Sequence, residues 1–423
     1  MTFRKVRGGA LQLTMYIVVV IALLLTGFIL FIHTHKRFDI QTQFVKETIT
    51  NAERGIHYTL QNDLKVNDTF NLNLNDQDFK TIKVHKDYWG LFEKVVSVSK
   101  IKSNTFKKIA LVGSSQPKFE RTALYVKENN KPLVVVGQTH IQGLTYLPKQ
   151  GVRTGNISGH SYYGEELIYG KTKNSKPNPP SLSTEFMNEL RSIETITQNI
   201  QPNQFIGLNA DTIFQNSFYE PLQIVYSTND LLLSEVSLIG HILVQSETKI
   251  IIDASTSLKD IILLAPEIEI KSHCKGTFQA VAKKKLTVGE HCELSYPSAL
   301  LVNDSTVVSN KISNVKNTSF ISVGKGSTIK GVVAYVGSSK NYKPQIFIDE
   351  DSEVVGEVYC NRNLELLGTV HGSVFTSSFV ANQSGSAYQN HIYNAVINID
   401  TLPQEYVGLP FESSKKGIAK WLY

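Results

Sequence analysis

Residues 320–375, FISVGKGSTIKGVVAYVGSSKNYKPQIFIDEDSEVVGEVYCNRNLELLGTVHGSVF, contain three copies of one short phrase. The copies STIKG (327–331), SEVVG (352–356) and GTVHG (368–372) each read small, any, Ile or Val, any, Gly. Two alternating strands precede the first two copies at the same offset. Such a unit cannot bury its apolar face alone, so it is typical of stacked arrays. The stretch therefore predicts a parallel β-helix (solenoid) within a mainly β protein.

The same phrase occurs much earlier in the chain, at 139–143 (THIQG) and 155–159 (GNISG). These two copies follow the apolar strand 132–137. We therefore expect one coil that starts near Leu133, with a first part over 131–170 and a second part over 231–400. The predicted solenoid corner glycines are Gly143, Gly159, Gly331, Gly356 and Gly372.

A second repeat of 18 residues lies between these blocks. It aligns the alternating pairs that begin at Ile250, Ile268 and Leu286. Residues one turn apart in such a coil lie about 4.8 Å apart. The same alignment superimposes Thr256, Cys274 and Cys292.

Cys274 and Cys292 form a possible stacked thiol pair, with His273 and His291 on the opposite face. Three chemistries are open: a ladder of buried free thiols, a disulfide, or a tetrahedral zinc site. Because Cys360 is left over, the three cysteines do not form a closed disulfide framework.

The 22 residues 11–32, LQLTMYIVVVIALLLTGFILFI, carry no charge. As a helix they match the thickness of a bilayer core. A cleavable signal peptide usually has a shorter apolar region and a small-residue cleavage site, whereas HTHKR follows here. We expect an uncleaved transmembrane anchor in the lipid bilayer. Residues 1–10 would be a leader or cytoplasmic segment, and the bulk of the chain would be periplasmic or extracellular.

The sequence KVRGGAL at 5–11, leading directly into the apolar run, resembles the start of type IV prepilin-like proteins. The resemblance implies that the apolar helix is both anchor and assembly surface, and that a helix continues over 33–60. The family's usual Glu is missing, because Leu13 or Thr14 occupies its position. Minor, tip-type members also lack it. A generic single-pass anchor is the alternative.

The remaining regions differ from the predicted coil in their sequence patterns. Short alternating runs predict a small β-rich stem over 61–130. A proline-rich loop and a capped helix at 183–200 predict an insertion over 171–230, docked on the side of the coil. The tail 401–423 is expected to cap the open end of the coil, or else to dock a partner.

The glycine-punctuated turns at 319–375, especially LELLGTVHG at 364–372, resemble the bactofilin family. That resemblance implies a right-handed β-helix that polymerises end to end. The membrane span and the long insertion depart from the compact bactofilin layout.

The net charge of +6 falls to +3 once the three basic residues before residue 32 are set aside, which is too dilute for nucleic-acid binding. No catalytic, cofactor or metal motif is recognised, so no enzyme, cofactor or metal is expected. We expect a structural or assembly protein of the cell envelope that associates with itself or with other envelope proteins. The alternatives are a membrane-tethered β-helical carbohydrate-active enzyme using the acidic cluster 349–351, or a bactofilin-like cytoplasmic scaffold.

Overall fold

Among the described residues, helix accounts for the N-terminal part of the chain, and strands supply most of the regular structure that follows. The computed structural model describes residues 9–62, 64–72, 79–193, 201–208, 212–304, 320–338, 342–412 and 414–423. Helix α1 spans Gly9–Gln61 and helix α2 spans Thr184–Ser192. The predicted mainly β class with one long N-terminal helix is therefore confirmed.

Strands of the first third of the chain are short and varied. They are β1 (Asp68–Leu72), β2 (Lys80–Trp89), β3 (Phe92–Ile101), β4 (Asn104–Ser115), β5 (Thr122–Val126), β6 (Leu133–Val136), β7 (His140–Gln142), β8 (Leu144–Leu147), β9 (Val152–Thr154), β10 (Asn156–Ile157), β11 (His160–Ser161) and β12 (Thr172–Asn174).

Longer strands dominate the middle. They are β13 (Ile213–Asn216), β14 (Gln223–Ser227), β15 (Leu231–Leu233), β16 (Ser237–Gly240), β17 (Ile242–Ser246), β18 (Lys249–Ile252), β19 (Ser257–Ile270), β20 (Lys275–Val288), β21 (Glu293–Asp304), β22 (Phe320–Val323), β23 (Thr328–Gly337), β24 (Ile346–Ile348), β25 (Glu353–Leu366) and β26 (Thr369–Gln383). The last strands are β27 (Ser386–Gln389), β28 (His391–Tyr393), β29 (Val396–Asn398), β30 (Val407–Gly408) and β31 (Lys415–Leu422).

The chain divides into two compact units. The first holds α1 up to Gly55 together with the described parts of Phe70–Val84 and Ser97–Lys107. The second holds Ile56–Thr69, His85–Val96 and the chain from Lys108 onward. Strands β1 to β4 belong to one sheet in the order β1-β2-β3-β4, and both β30 and β31 pair with β4.

In the first unit, one face of α1 packs on strands. Thr48, Asn51, Ala52 and Gly55 are buried at helical spacing, whereas their neighbours on the other face are exposed. At Gly55 an added Cβ would collide with the Ser97 side chain, so glycine permits the close approach of helix and strand. An ion pair between Lys80 and Glu47 joins β2 to the helix.

The second unit is built from strands that stack in parallel, turn upon turn, in three ladders. The register confirms the 18-residue repeat, because Ile250 pairs with Ile268 and Ile268 with Leu286. It also confirms the 25-residue offset of Ile321 and Ile346. One ladder joins Leu231, Ile250, Ile268, Leu286, Ile321, Ile346, Leu364 and Phe379. Nearly every member is fully buried, so each turn adds an apolar side chain directly onto the previous one.

A second ladder carries the glycine corners. Gly331, Gly356 and Gly372 are register partners on successive turns. Their φ angles of 141°, 149° and 154° lie in the region that side chains disfavour. A Cβ on Gly356 or Gly372 would overlap the glycine carbonyl of the turn before it. The corner therefore requires glycine for two independent reasons.

Gly143 and Gly159 have different surroundings. Gly143, with φ of 122°, also lies at a corner, where an added Cβ would meet Ile399 and Ala123. Gly159 instead lies in the tight turn of the antiparallel hairpin β10–β11, with open space around it. Gly159 is therefore not a corner of the stack, although its sequence phrase is the same.

The order of the stack differs from the order of the chain. Strands β5, β6 and β7 pair in parallel with β26, β28 and β29, which end the C-terminal ladders. The prediction of a coil that starts near Leu133 and runs to its far end near residue 375 is therefore wrong about order. The physical reason is the open edge of the last turn, which needs hydrogen-bond partners and obtains them from the early strands.

This order changes the interpretation of two other segments. In the described pairings, β12 joins β8 at one end of the stack and β13 joins β16 at the other. The sequence predicts an insertion in the coil over 171–230, but β12 and β13, both within that range, join opposite ends of the stack, so the chain between them connects the two ends. The α2 part of the predicted helix 183–200 is seen, with the Ser183 side chain accepting from the Phe186 amide at 3.2 Å, and 194–200 lie outside the described residues. The tail does not cap the stack, because β30 and β31 extend the β1–β4 sheet.

A buried carboxyl lies where the tail packs on the stack. Glu357 Oε2 accepts a hydrogen bond of 2.7 Å from the Leu409 amide, and Arg121 donates to the Pro403 carbonyl at 2.7 Å. Burial raises the pKa of Glu357 to about 7, although the Leu409 amide and the Arg121 charge oppose the shift. The buried site where the tail packs on the stack therefore favours the protonated form of Glu357.

We predict that Gly356→Ala destabilises the full chain by roughly 2–4 kcal/mol, because it combines strain with a backbone collision. Gly159→Ala is the matched control: its φ of 89° is also positive, but nothing lies within 4 Å. It should cost only about 1 kcal/mol. Denaturant unfolding of the detergent-solubilised protein measures both. Equal losses would contradict a sterically closed corner.

We also predict that the free energy of unfolding falls as the pH rises from 4.5 through about 7. These values are the pKa of Glu357 in the unfolded chain and in the folded chain. The folded state holds this proton more tightly, so the stabilisation is complete below the lower value and lost above the upper one. The loss is about 3 kcal/mol.

Glu357→Gln keeps an acceptor for Leu409 and cannot ionise, so it should flatten this profile and be more stable than the wild type at pH 8. Glu353→Gln, an exposed glutamate of the same strand, serves as the control. An unchanged profile in Glu357→Gln, followed by thermal unfolding, would rule out Glu357 as the titrating group.

Candidate membrane-anchor site

The first half of α1 is apolar on every side. From Leu11 to Ile32 every side chain is exposed, apart from half-buried Val20, and this part of the helix has no packing partner in the described chain. A helix of 22 residues rises about 33 Å, which matches the hydrocarbon core of a bilayer. A helix that is apolar all round needs an apolar environment. Residues 11–32 therefore form a helix that could span a membrane.

Three threonine hydroxyls within and beside this segment are satisfied by the helix itself. The hydroxyls of Thr14, Thr26 and Thr34 donate to the carbonyls of Leu11, Ala22 and Leu30, at 2.9, 2.7 and 2.8 Å. In hydrocarbon an unpaired hydroxyl would be costly, so these bonds suit a lipid environment. The sequence pattern alone gives no direct indication of them.

The first described residue of the helix lies within the prepilin-like motif. The described helix begins at Gly9, and the leader residues 1–8 lie outside the described residues. Leu13 and Thr14, the two candidates for the family's missing Glu, are both exposed and uncharged. The described helix therefore carries no charged side chain from Gly9 to Ile32.

The two cysteines predicted to stack lie on successive turns, since their neighbours Lys275 and Glu293 are register partners. Both are buried and free. Contact with the Cys292 sulfur, and then burial, raise the pKa of the Cys274 thiol. The adjacent imidazoles of His273 and His291 are exposed and stacked, with ring centres 5.5 Å apart.

These cysteines belong to a column of small hydrogen-bonding residues. Each member donates to a carbonyl at the corner of the preceding turn. The bonds are Thr256 to Leu233 at 2.7 Å, Cys274 to Ile252 at 3.5 Å, Cys292 to Lys271 at 3.1 Å, Ser327 to Gly289 at 2.8 Å and Ser352 to Gly324 at 2.8 Å. The two thiols therefore donate the same kind of hydrogen bond that a Thr or Ser hydroxyl donates on the other turns. Sequence reasoning aligned Thr256 with the cysteines but missed this shared role.

Charged groups elsewhere on the stack form ion pairs at its corners. Within the predicted acidic cluster, Asp351 lies 3.2 Å and Glu350 lies 3.7 Å from the Lys325 amine. Among the described residues, no group of three or more His, Cys, Asp or Glu side chains is arranged to hold a metal ion. These features are the ordinary chemistry of exposed turns.

Comparison with known proteins adds little. No protein-family model matches the chain. No curated protein matches it either. Among solved structures, it is similar to the competence-associated pilin ComZ from Thermus thermophilus at 10% identity, over 85% of this chain and 86% of that one, with a TM-score of 0.23. A TM-score this low does not establish a shared fold, so the functional argument rests on the chain's own residues.

We predict that Cys292→Ser changes stability by less than about 1 kcal/mol, because Ser327 and Ser352 already perform this role. Cys292→Val should cost about 1–3 kcal/mol, since it leaves the Lys271 carbonyl without its donor. Unfolding of the two variants, compared under reducing conditions, checks the expectation. A Ser variant as unstable as the Val variant would contradict the hydrogen-bonding role.

Proposed function

We propose that this protein is a single-pass, pilin-like component of the cell envelope, anchored by residues 11–32. The observation that carries the proposal is the uncharged half of α1, exposed on all sides from Leu11 to Ile32. The basic leader ending in Gly8-Gly9 directly before this segment supports the pilin-like part.

The continuity of α1 also supports this role. The helix runs without interruption from Gly9 to Gln61, and its buried face begins only after the apolar segment ends. A rigid rod of this kind keeps its apolar half available to lipid or to the apolar helices of other envelope proteins. Self-association or association with such proteins is therefore part of the proposal.

We propose that the three ladders are the faces of a parallel β-helix, which serves as a platform. The in-register apolar columns and the glycine corner support this interpretation. We propose a structural or assembly role for the platform, without catalysis. The acidic residues Glu350 and Asp351 lie on an exposed turn within ion-pair distance of Lys325.

The direct test is the mature N-terminus of the protein purified from its native membrane. Intact-mass measurement and N-terminal peptide mapping should find cleavage after Gly8 or Gly9. An intact Met1 would overturn the pilin-like part and leave a generic anchor.

We further predict that Ile21→Arg, at the centre of the span, lowers the carbonate-resistant membrane fraction. A central Arg costs about 2.5–3.5 kcal/mol for insertion. Val45→Arg, an exposed residue of the same helix outside the span, is the matched control and should leave the fraction unchanged. Equal extraction of both variants and the wild type would contradict anchoring by this segment.

A further inference from the structure

A positively charged groove lies immediately beyond the apolar segment. Its walls are α1 after residue 32 and the tip of the β3–β4 hairpin, both within the first compact unit. It encloses 560 Å³. The polar residues that line it are His33, Lys36, Arg37, Gln41, Lys102, Ser103 and Asn104.

The groove concentrates cations without a neutralising acid. None of the described residues that line it is acidic. Of the nearest carboxylates along the helix, Asp39 lies 3.2 Å from the His35 ring and Glu47 pairs with Lys80. Lys36, Arg37 and Lys102 outnumber the one nearby carboxylate, Asp39, so the groove region carries a net positive charge.

The hairpin presents Lys102 to the groove through a constrained turn. Lys102 has a φ of 53°, a conformation that side chains seldom adopt. Its ammonium lies 4.8 Å from the centre of the Phe44 ring, which holds the charge over an aromatic face of α1. The charge is thus positioned against the helix, with the adjacent Ser103 and Asn104 supplying uncharged polar groups.

The distance of the groove from the end of the span indicates which kind of ligand it binds. At about 1.5 Å per residue, His33, Lys36 and Arg37 lie within about 8 Å of the end of the span, in the headgroup layer. Phe44, over which the Lys102 ammonium lies, is about 18 Å beyond the span. Basic side chains in this layer attract anionic lipids, each contributing about 1 kcal/mol.

We propose that the groove binds the phosphate of an anionic phospholipid headgroup, with Lys36 and Arg37 next to the span contacting the phosphate and Lys102, farther from the span, adding to the positive potential of the groove. Arg37 supplies bidentate hydrogen bonds to phosphate oxygens and the lysines supply point charges. The inference rests on the proposed membrane anchorage. It adds that the protein selects which lipid surrounds its helix.

The test uses the full chain in nanodiscs of phosphatidylcholine with one quarter phosphatidylglycerol. Retained lipid is counted by native mass spectrometry as detergent strips the disc. The wild type should retain phosphatidylglycerol preferentially. The triple variant Lys36→Gln, Arg37→Gln and Lys102→Gln should lose at least about tenfold of that preference, because each charge contributes about a fivefold factor.

The matched control is Lys46→Gln, Lys83→Gln and Lys100→Gln, which removes the same charge from exposed sites outside the groove. It should keep the preference. Equal loss in both triples would overturn the site in favour of diffuse surface charge. Displacement of the lipid by millimolar inorganic phosphate would identify a free-anion site and overturn the lipid assignment.

Incorporation into nanodiscs is scored first, by flotation in phosphatidylcholine alone. Failure there would overturn the anchor, and with it this site. Successful incorporation without lipid preference would overturn the groove and leave the anchor intact. Circular dichroism confirms that both triples keep the wild-type fold.

Discussion

The in-register stacking of apolar side chains on successive turns is the constraint on which the body of the molecule depends. A single turn would leave the backbone groups at both of its strand edges unpaired and its apolar side chains exposed. It therefore has no stable fold of its own. Each added turn covers the apolar side chains of the previous turn and forms hydrogen bonds with its backbone. The glycine corner makes this possible, because Gly331, Gly356 and Gly372 let each turn lie directly on a carbonyl of the turn before it.

The same constraint explains the order of the chain within the stack. The last turns near β26–β29 end with unpaired edges, and strands from residues 122–142 supply the partners. Early and late parts of the sequence therefore complete one another. The C-terminal tail, released from that task, adds β30 and β31 to the sheet that begins after α1. The β26–β29 end of the stack is therefore covered by the chain itself, whereas the apolar half of α1 has no packing partner among the described residues.

The sequence allowed the local features to be predicted, and the long-range ones remained out of reach. The 18-residue repeat of Ile250, Ile268 and Leu286 follows directly from the alternating apolar pairs, and the 22-residue span follows from its lack of charge. The pairing of β7 with β29 joins residues more than 250 positions apart, and no periodicity links them. Gly159 was misassigned because the phrase GNISG fits a hairpin turn as well as a corner. In the candidate site, the span was readable from composition. The cationic groove was not, because Lys102 reaches α1 from a hairpin distant in sequence.

The side of the membrane on which the body lies separates a pilin-like envelope protein from a cytoplasmic scaffold. A reporter fused after Tyr423, an exposed terminal residue, measures it directly. Alkaline phosphatase is active only outside the cytoplasm, and a fluorescent protein that folds only inside it reports the opposite side. An extracytoplasmic body predicts an active phosphatase fusion and a dark fluorescent one. A bright fluorescent fusion with an inactive phosphatase would contradict the envelope assignment.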